Sequence, residues 1–209
     1  MTIEAVIWDF GGVFTSSPFA AAHAYAHAQS VEPDAFVRIV FGDYDTDSDH
    51  AWHRLERGEI PFHVALDEIG AAATTAGMRF DAGEMFGALG DDGVDRSVVT
   101  DYVRGLRDRG IRNAILTNNI REYGDHWRKS LDVDALFDLV VDSCLEGVRK
   151  PDPVIYARAL ERLDVEAAAA VFLDDFEPNV VTARRLGMQG IVVGPDPRLA
   201  LAELDALLA

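Results

Sequence analysis

The segment Ile3-Glu4-Ala5-Val6-Ile7-Trp8-Asp9-Phe10-Gly11-Gly12-Val13-Phe14 decides the fold. Its apolar run reads as a buried strand. The strand ends on a carboxylate, Asp9, and a glycine turn, the place where open α/β sheets hold their ligands. Gly11 and Gly12 let the backbone approach a bound group closely or take a positive φ. Alone, an Asp-x-Gly-Gly turn is also ordinary loop punctuation. Three later segments turn it into a site.

The first is Ile115-Leu116-Thr117-Asn118-Asn119, another apolar strand, ending in a hydroxyl and two amides. Next, Gly147-Val148-Arg149-Lys150-Pro151-Asp152-Pro153 places Lys150 just before a predicted helix. The last, Ala170-Val171-Phe172-Leu173-Asp174-Asp175-Phe176-Glu177-Pro178-Asn179, ends its strand on a carboxylate pair. In a parallel sheet the carboxyl ends of the strands share one edge, so all these segments can converge. Together they offer a nucleophilic or ligating carboxylate, a hydroxyl donor, a cation and two further carboxylates. That set suits phosphoryl transfer assisted by a divalent metal. The charges agree, because Asp9, Asp174 and Asp175 outnumber Lys150. Without a cation, at least one carboxyl is expected to be pushed toward protonation by its neighbours.

Outward from these motifs the text divides. Residues 19–29, 33–41, 50–57, 61–76 and 81–89 read as helices with no good strand among them. A further helix follows Asp95, a plausible N-cap, with Val98, Val99, Tyr102, Val103 and Leu106 on one face and Gly110 at its end. Strands at 112–117, 138–142, 170–174 and 190–193 then alternate with helices at 121–130, 153–163, 178–186 and 197–208. Asp152 at N-cap and Pro153 at N1 mark one helix start clearly, and Gly187 ends another. The expected class is α/β, a doubly wound parallel sheet (a Rossmann-like core, 1–15 and 93–209) with an inserted all-helical cap at 16–92.

Composition narrows this little. A chain of 209 residues can bury a real core. Its formal net charge of −17 repels nucleic acid and anionic membranes, so neither is expected as a partner. The single cysteine, Cys144, excludes an internal disulfide and is assigned no role. Residues 1–8 carry no basic leader and no apolar run is long enough to span a bilayer, so a cytoplasmic protein is expected, as monomer or homodimer.

Asp-x-Gly-Gly-Val, the apolar-Thr-Asn turn, Gly-x-x-Lys-Pro-Asp-Pro-x-Ile-Tyr and Phe-Leu-Asp-Asp-x-x-x-Asn-x-x-x-Ala-Arg-x-Leu-Gly-Met resemble the four motifs of the haloacid dehalogenase-like hydrolases. The likeness is greatest to the branch containing the N-terminal phosphatase domain of soluble epoxide hydrolase, and it runs collinearly from Ile3 to Val193. The resemblance implies a phosphatase acting on a small phosphorylated substrate. Asp9 is then the nucleophile that becomes an aspartyl phosphate. Asp9, the Gly11 carbonyl, Asp174 and Asp175 hold Mg²⁺, and Asn179 supports the metal loop. Lys150 neutralises charge, while Thr117 and Asn118, with the Gly11–Gly12 turn, bind the phosphoryl oxygens.

One departure stands out. Most phosphatases of this family carry an acid two residues after the nucleophile, where this chain has Gly11. General acid help is worth about 10²–10⁴-fold, so esters with poor leaving groups are expected to suffer. His50 and His53 are the candidates to replace it, and Trp52 is a candidate to line the pocket. A haloacid dehalogenase would tolerate Gly11, since halide leaves unprotonated, but its chemistry needs no metal. A non-hydrolytic binding or regulatory protein on the same scaffold is the third reading. The acidic run Asp43–Asp49 suggests calcium until His50 falls where the calcium-loop template requires glycine.

Overall fold

The computed structural model describes residues 2–87, 89, 92–124 and 126–209. Five parallel strands, β1 (Ala5–Trp8), β2 (Arg112–Thr117), β3 (Leu139–Asp142), β4 (Ala170–Asp174) and β5 (Gln189–Val192), form one sheet in the order β3-β2-β1-β4-β5. The chain winds from β1 outward through β2 to β3, then crosses to lay β4 on the other side of β1. The order therefore reverses between β1 and β4, which is where doubly wound sheets open a crevice for ligands. Trp8 is in register with both Ile115 and Leu173, so the residues that follow β1 and β4 emerge side by side.

Alternate residues of each strand face opposite ways and are buried on both. Val6, Trp8, Ile115, Val171 and Leu173 pack against the helices Ser97–Asp108 and Pro197–Leu208. Ala5, Ile7, Leu116 and Phe172 pack against Pro153–Leu163 and Glu177–Arg185. Burial on both faces explains why the strands read as continuous apolar runs rather than alternating ones. Between Pro18 and Gly87 the described elements are all helices, and Phe36, Phe41, Trp52, Leu55, Ile69 and Met85 give them an apolar cluster of their own. Among the described residues no helix is long and apolar enough to cross a membrane.

Some boundaries differ from expectation. The helix expected at 121–130 is a 3-10 turn, Arg121–Tyr123, followed by a short helix, His126–Ser130. Gly124, at φ +49, breaks the run between them. Asp125, within that range, lies outside the described residues, as does Ala88 of the expected 81–89 helix, which is seen as Ala82–Gly87. Asp95 caps less deeply than expected: its carboxylate accepts from the Ser97 N–H and hydroxyl, and the helix begins at Ser97. The one-turn helices Val133–Leu136 and Ser143–Glu146 are too short to leave a periodic signal.

One polar bond lies inside the sheet. Trp8 Nε1 donates to Asn113 Oδ1 at 3.0 Å, and Asn113, fully buried in β2, donates to the Ile111 carbonyl. Asn113→Val strands the indole N–H and should cost about 2 kcal/mol, lowering Tm by roughly 4–8 °C. Thermal unfolding of the single and Trp8→Phe/Asn113→Val double variants tests this, because the second change removes the orphaned donor and should recover part of the loss.

Candidate active site

The sheet edge carries Asp9 after β1, Thr117 at the end of β2 and Asp174 at the end of β4. Lys150 reaches the same point from the loop after Ser143–Glu146. Its Nζ lies 2.7 Å from Asp9 Oδ1 and 2.7 Å from Asp174 Oδ2, and the residue is only 1% exposed. Burial alone would lower the Lys150 ammonium, but the charges of Asp174 and Asp9 outweigh it and hold it above its ordinary value. The converse applies to Asp9. Burial pushes its carboxyl well above the carboxylate range, Lys150 pulls it back, and Asp174 and Asp175 push it up again.

Asp174 is completely buried and well bonded. Its Oδ1 accepts from the Phe176 N–H at 2.7 Å, and its Oδ2 accepts from Asn179 Nδ2 at 2.9 Å as well as from Lys150. Asn179 thus braces the carboxylate beside the reacting edge, and its carbonyl in turn accepts from Tyr156. Asp175 is more open. Burial and the neighbouring Asp174 charge push its carboxyl up to about 7, against a hydrogen bond from Ser17.

The glycine turn divides its labour unequally. Gly12 has φ +77, and a Cβ there would fall 2.0 Å from Asp175 Oδ2, so glycine lets this backbone sit against the carboxylate. At Gly11 a Cβ would meet nothing closer than Pro18 Cδ at 3.8 Å, an ordinary contact. Of the two, Gly12 alone takes a positive φ.

Asn118 is also placed differently from a free phosphate donor. Its Oδ1 accepts from the Lys150 N–H at 2.8 Å, and its Nδ2 donates to the Lys150 carbonyl and the Tyr44 hydroxyl, both at 3.1 Å. The side chain ties the end of β2 to the lysine peptide. Thr117, 3% exposed, lies at the floor of the same crevice.

Asp9, Asp174 and Asp175 each offer an oxygen, all within 4.8 Å of one another, the one such cluster of potential metal ligands among the described residues. Oxygen-only donors with excess negative charge, two of them (Asp9 and Asp175) pushed up by burial and by the Asp174 charge, fit a hard divalent cation. The acidic run at 43–49 makes no such cluster; Asp47 is paired with Arg57.

A cavity of about 400 Å³ stands over this floor, walled by the helical segment. Trp52 lines it, as expected, with Phe19, Phe41 and Phe86. His50 and His53 are not among its lining residues. His53 is fully buried, and burial followed by the Arg149 charge lowers its imidazole to about 3. It is not the missing acid. The sequence reading overlooked Tyr44, Glu56 and Arg149. Their only signal was the Trp52–Glu56 spacing, which puts both on one helix face, and an arginine beside Lys150.

A haloacid dehalogenase-like hydrolase family model matches residues 3–187. The chain is 34% identical to mouse acyl-CoA dehydrogenase family member 10 over 98% of its own length, but 19% of that protein's. It is 28% identical to pig bifunctional epoxide hydrolase 2, over 98% of this chain and 39% of that one. With the sesquiterpene phosphatase AstK of Aspergillus oryzae it shares 29% identity over 91% of this chain and 89% of the other. The chain thus spans well under half of the first and second of these proteins and most of the third. Among solved structures, a HAD family enzyme from Bacteroides thetaiotaomicron, in complex with magnesium and inorganic phosphate, aligns at TM-score 0.60 with 19% identity, over 92% of this chain and 94% of that one.

The raised Asp175 carboxyl carries a consequence for stability. Its folded value, about 7, lies above the unfolded value of about 3.9, so the folded state binds more protons between the two. In chelator, this group's contribution therefore falls as pH rises through that window. Asp175→Asn imitates the protonated form. It should melt with the wild type near pH 4 and at a higher temperature than the wild type near pH 8, as thermal unfolding across pH would show.

Proposed function

The chain belongs to the haloacid dehalogenase-like hydrolases, and from that membership and its site we propose that it is a Mg²⁺-dependent phosphatase acting on a small phosphorylated metabolite through an aspartyl phosphate on Asp9. The observation that carries this reading is Lys150 held at 2.7 Å from both Asp9 and Asp174, with Asp175 beside them. A relative described as a phosphatase and a structural neighbour solved with magnesium and phosphate support it.

Asp9, Asp175 and the Gly11 carbonyl hold the cation, with Asp174 close by. Bound Mg²⁺ supplies the positive charge that keeps these carboxylates ionised and screens an incoming phosphate dianion. Lys150 engages Asp9 through Oδ1. We assign the attack on phosphorus to Oδ2, with the bond to the ester oxygen breaking as the new one forms. Lys150 and Thr117 stabilise the equatorial oxygens. Asn118 acts indirectly, by fixing the Lys150 peptide. Water then cleaves the acyl phosphate, returning Asp9 and releasing inorganic phosphate; forming that labile intermediate splits one difficult step into two. Residues 16–92 serve as the cap that covers the reaction.

A dehalogenase would share Asp9, Lys150 and the tolerance of Gly11, but would have no use for a third carboxylate at Asp175. Phosphate release from aryl phosphates, with Mg²⁺ and with chelator, separates the two readings. Asp9→Asn should reduce release to background while circular dichroism and Mg²⁺-dependent phosphonate binding persist. Substantial turnover in this variant, or full activity in chelator, overturns the proposal.

With no acid at Gly11 and neither His50 nor His53 lining the cavity, the leaving oxygen is expected to depart largely as an anion. The wild-type rate should fall steeply as leaving-group pKa rises. Because the structure has room for a side chain at this position, Gly11→Asp should raise alkyl phosphate turnover by about tenfold while changing aryl phosphate turnover little. A Brønsted plot of both enzymes checks this.

A further inference from the structure

Two lines of contact lead from the Lys150 peptide into the helical segment, and both end on one side chain. The first runs through Asn118, whose Oδ1 accepts from the Lys150 N–H at 2.8 Å and whose Nδ2 donates to the Lys150 carbonyl at 3.1 Å. The same Nδ2 donates to the Tyr44 hydroxyl at 3.1 Å, and that hydroxyl donates to Glu56 Oε1 at 2.5 Å. The second runs through Arg149, the chain neighbour of Lys150, whose Nε donates to Glu56 Oε2 at 2.7 Å. Lys150, Asn118, Tyr44, Glu56 and Arg149 thus form a ring of contacts that the Arg149–Lys150 peptide bond closes.

Each link of the ring is constrained. A tyrosine hydroxyl has one proton, and here it goes to Glu56, so toward Asn118 the oxygen can only accept. That keeps the amide nitrogen of Asn118 on the Tyr44 side and its oxygen on the Lys150 N–H. Arg149 is fully buried, and its Nη1 and Nη2 have no hydrogen-bond partner among the described residues. Its guanidinium lies 4.2 Å from the Tyr44 ring centroid, and the nearest other carboxylate, Asp47, stands 3.7 Å from Nη1. A buried cation stripped of its partner is strongly unfavourable, so Arg149 stays on Glu56. Glu56 is itself pinned to the core, because its carbonyl accepts from Ser143 Oγ at 2.6 Å, just beyond β3.

We propose that Tyr44 and Glu56 are positioning residues for Lys150, so that the helical segment walling the cavity also sets the backbone from which the ammonium reaches Asp9 and Asp174. The effect on turnover rests on the phosphatase reading; the effect on the lysine does not. The ammonium stands at the end of a flexible four-carbon stem, and it meets both carboxylates at 2.7 Å only while that stem starts from one place. Without the Tyr44 acceptor, Asn118 is released on one side and the Lys150 peptide is free to shift. A misplacement of about 1 Å at a reacting group can cost about a hundredfold in rate.

Lys129 and Lys150 are the two lysines of the chain, and Lys129 is exposed. In full-length protein carrying ¹³C-labelled lysine, with Mg²⁺, the two Hε protons of an immobilised Lys150 should give separate NMR signals, and Lys129 supplies the mobile reference. Tyr44→Phe keeps the ring beside Arg149 and leaves Glu56 Oε1 its bond from Trp52 Nε1 at 2.8 Å, so it removes little beyond the Asn118 link. It should shift the Lys150 signals and draw them together. It should also lower kcat for an aryl phosphate by about ten- to a hundredfold, while the Kd of methyl phosphonate changes by about threefold or less. Glu56→Gln leaves Arg149 without its countercharge and should act in the same direction. In an Asn118→Ala background Tyr44→Phe should add nothing, since its route to Lys150 is gone. Asn113→Val, destabilising but remote from the ring, should leave the Lys150 signals and kcat unchanged, which separates positioning from loss of stability. If the Lys150 signals move but the wild type releases no phosphate, the positioning role stands and the phosphatase reading falls. Lys150 signals unmoved in both Tyr44→Phe and Glu56→Gln, or an equal effect of Tyr44→Phe with and without Asn118, overturns the inference whatever the turnover.

Discussion

The site depends on one buried ammonium. Lys150 sits between Asp9 and Asp174 at 2.7 Å from each, in a place that water scarcely reaches. A buried charge is tolerable only when paired and hydrogen-bonded, and removing one partner of such a group costs about 3–5 kcal/mol. The lysine therefore ties the end of β1 to the end of β4. Its backbone is fixed in turn by Asn118 at the end of β2. Three strand ends are thereby tied to one loop before any substrate arrives. On the proposed mechanism the same contacts would serve catalysis, because a fixed ammonium beside the attacking carboxylate needs no reorganisation as negative charge moves onto phosphorus.

Pairing alone does not settle the charge, and that imbalance gives the site its character. Lys150 satisfies Asp9 and Asp174, while Asp175 has a hydroxyl from Ser17 and, among the described residues, no ion pair, and burial with the Asp174 charge raises its carboxyl to about 7. The Gly12 backbone is pressed against that carboxylate at a φ that suits glycine. The protein holds three carboxylates together at a cost to its own cation-free stability. The oxygen-only donor set fits a divalent ion, whose charge would offset that cost.

The helical wall follows a different logic. Tyr44, Trp52 and Arg149 all donate to the buried carboxylate of Glu56. Polarity placed this way fixes the shape of the wall and pairs the Glu56 charge with Arg149. The exclusion of His53 belongs to the same pattern: the ring is buried behind the wall, beside Arg149, with an imidazole lowered to about 3. Gly11 is the complementary case on the sheet side, a position with space for an acid where the chain supplies none.

Much of this was legible in the sequence, and the reason is local. Apolar runs ending in Asp9, Thr117 and Asp174 reveal parallel strands because strands buried on both faces must be continuously apolar. Their shared edge follows from parallel topology, so Asp9, Lys150, Asp174 and Asp175 could be brought together from motifs alone. The β2 and β4 limits and the helices at 153–163 and 197–208 were readable because a cap residue or an abrupt change of pattern marks each end. What no local pattern could reveal was pairing across distance. Glu56 reads as one more charge on a helix, Arg149 as a loop cation, Tyr44 as part of an acidic run and Asn118 as a phosphate donor. Only the packing of the helical segment onto the sheet edge decided that these four bond to one another or to Lys150. Tertiary structure likewise separated Gly11 from Gly12, identical in sequence terms, because the need for glycine depends on what stands within reach of a β-carbon. Backbone periodicity is written along the chain; the partner of a buried polar group is chosen by whatever the fold places beside it.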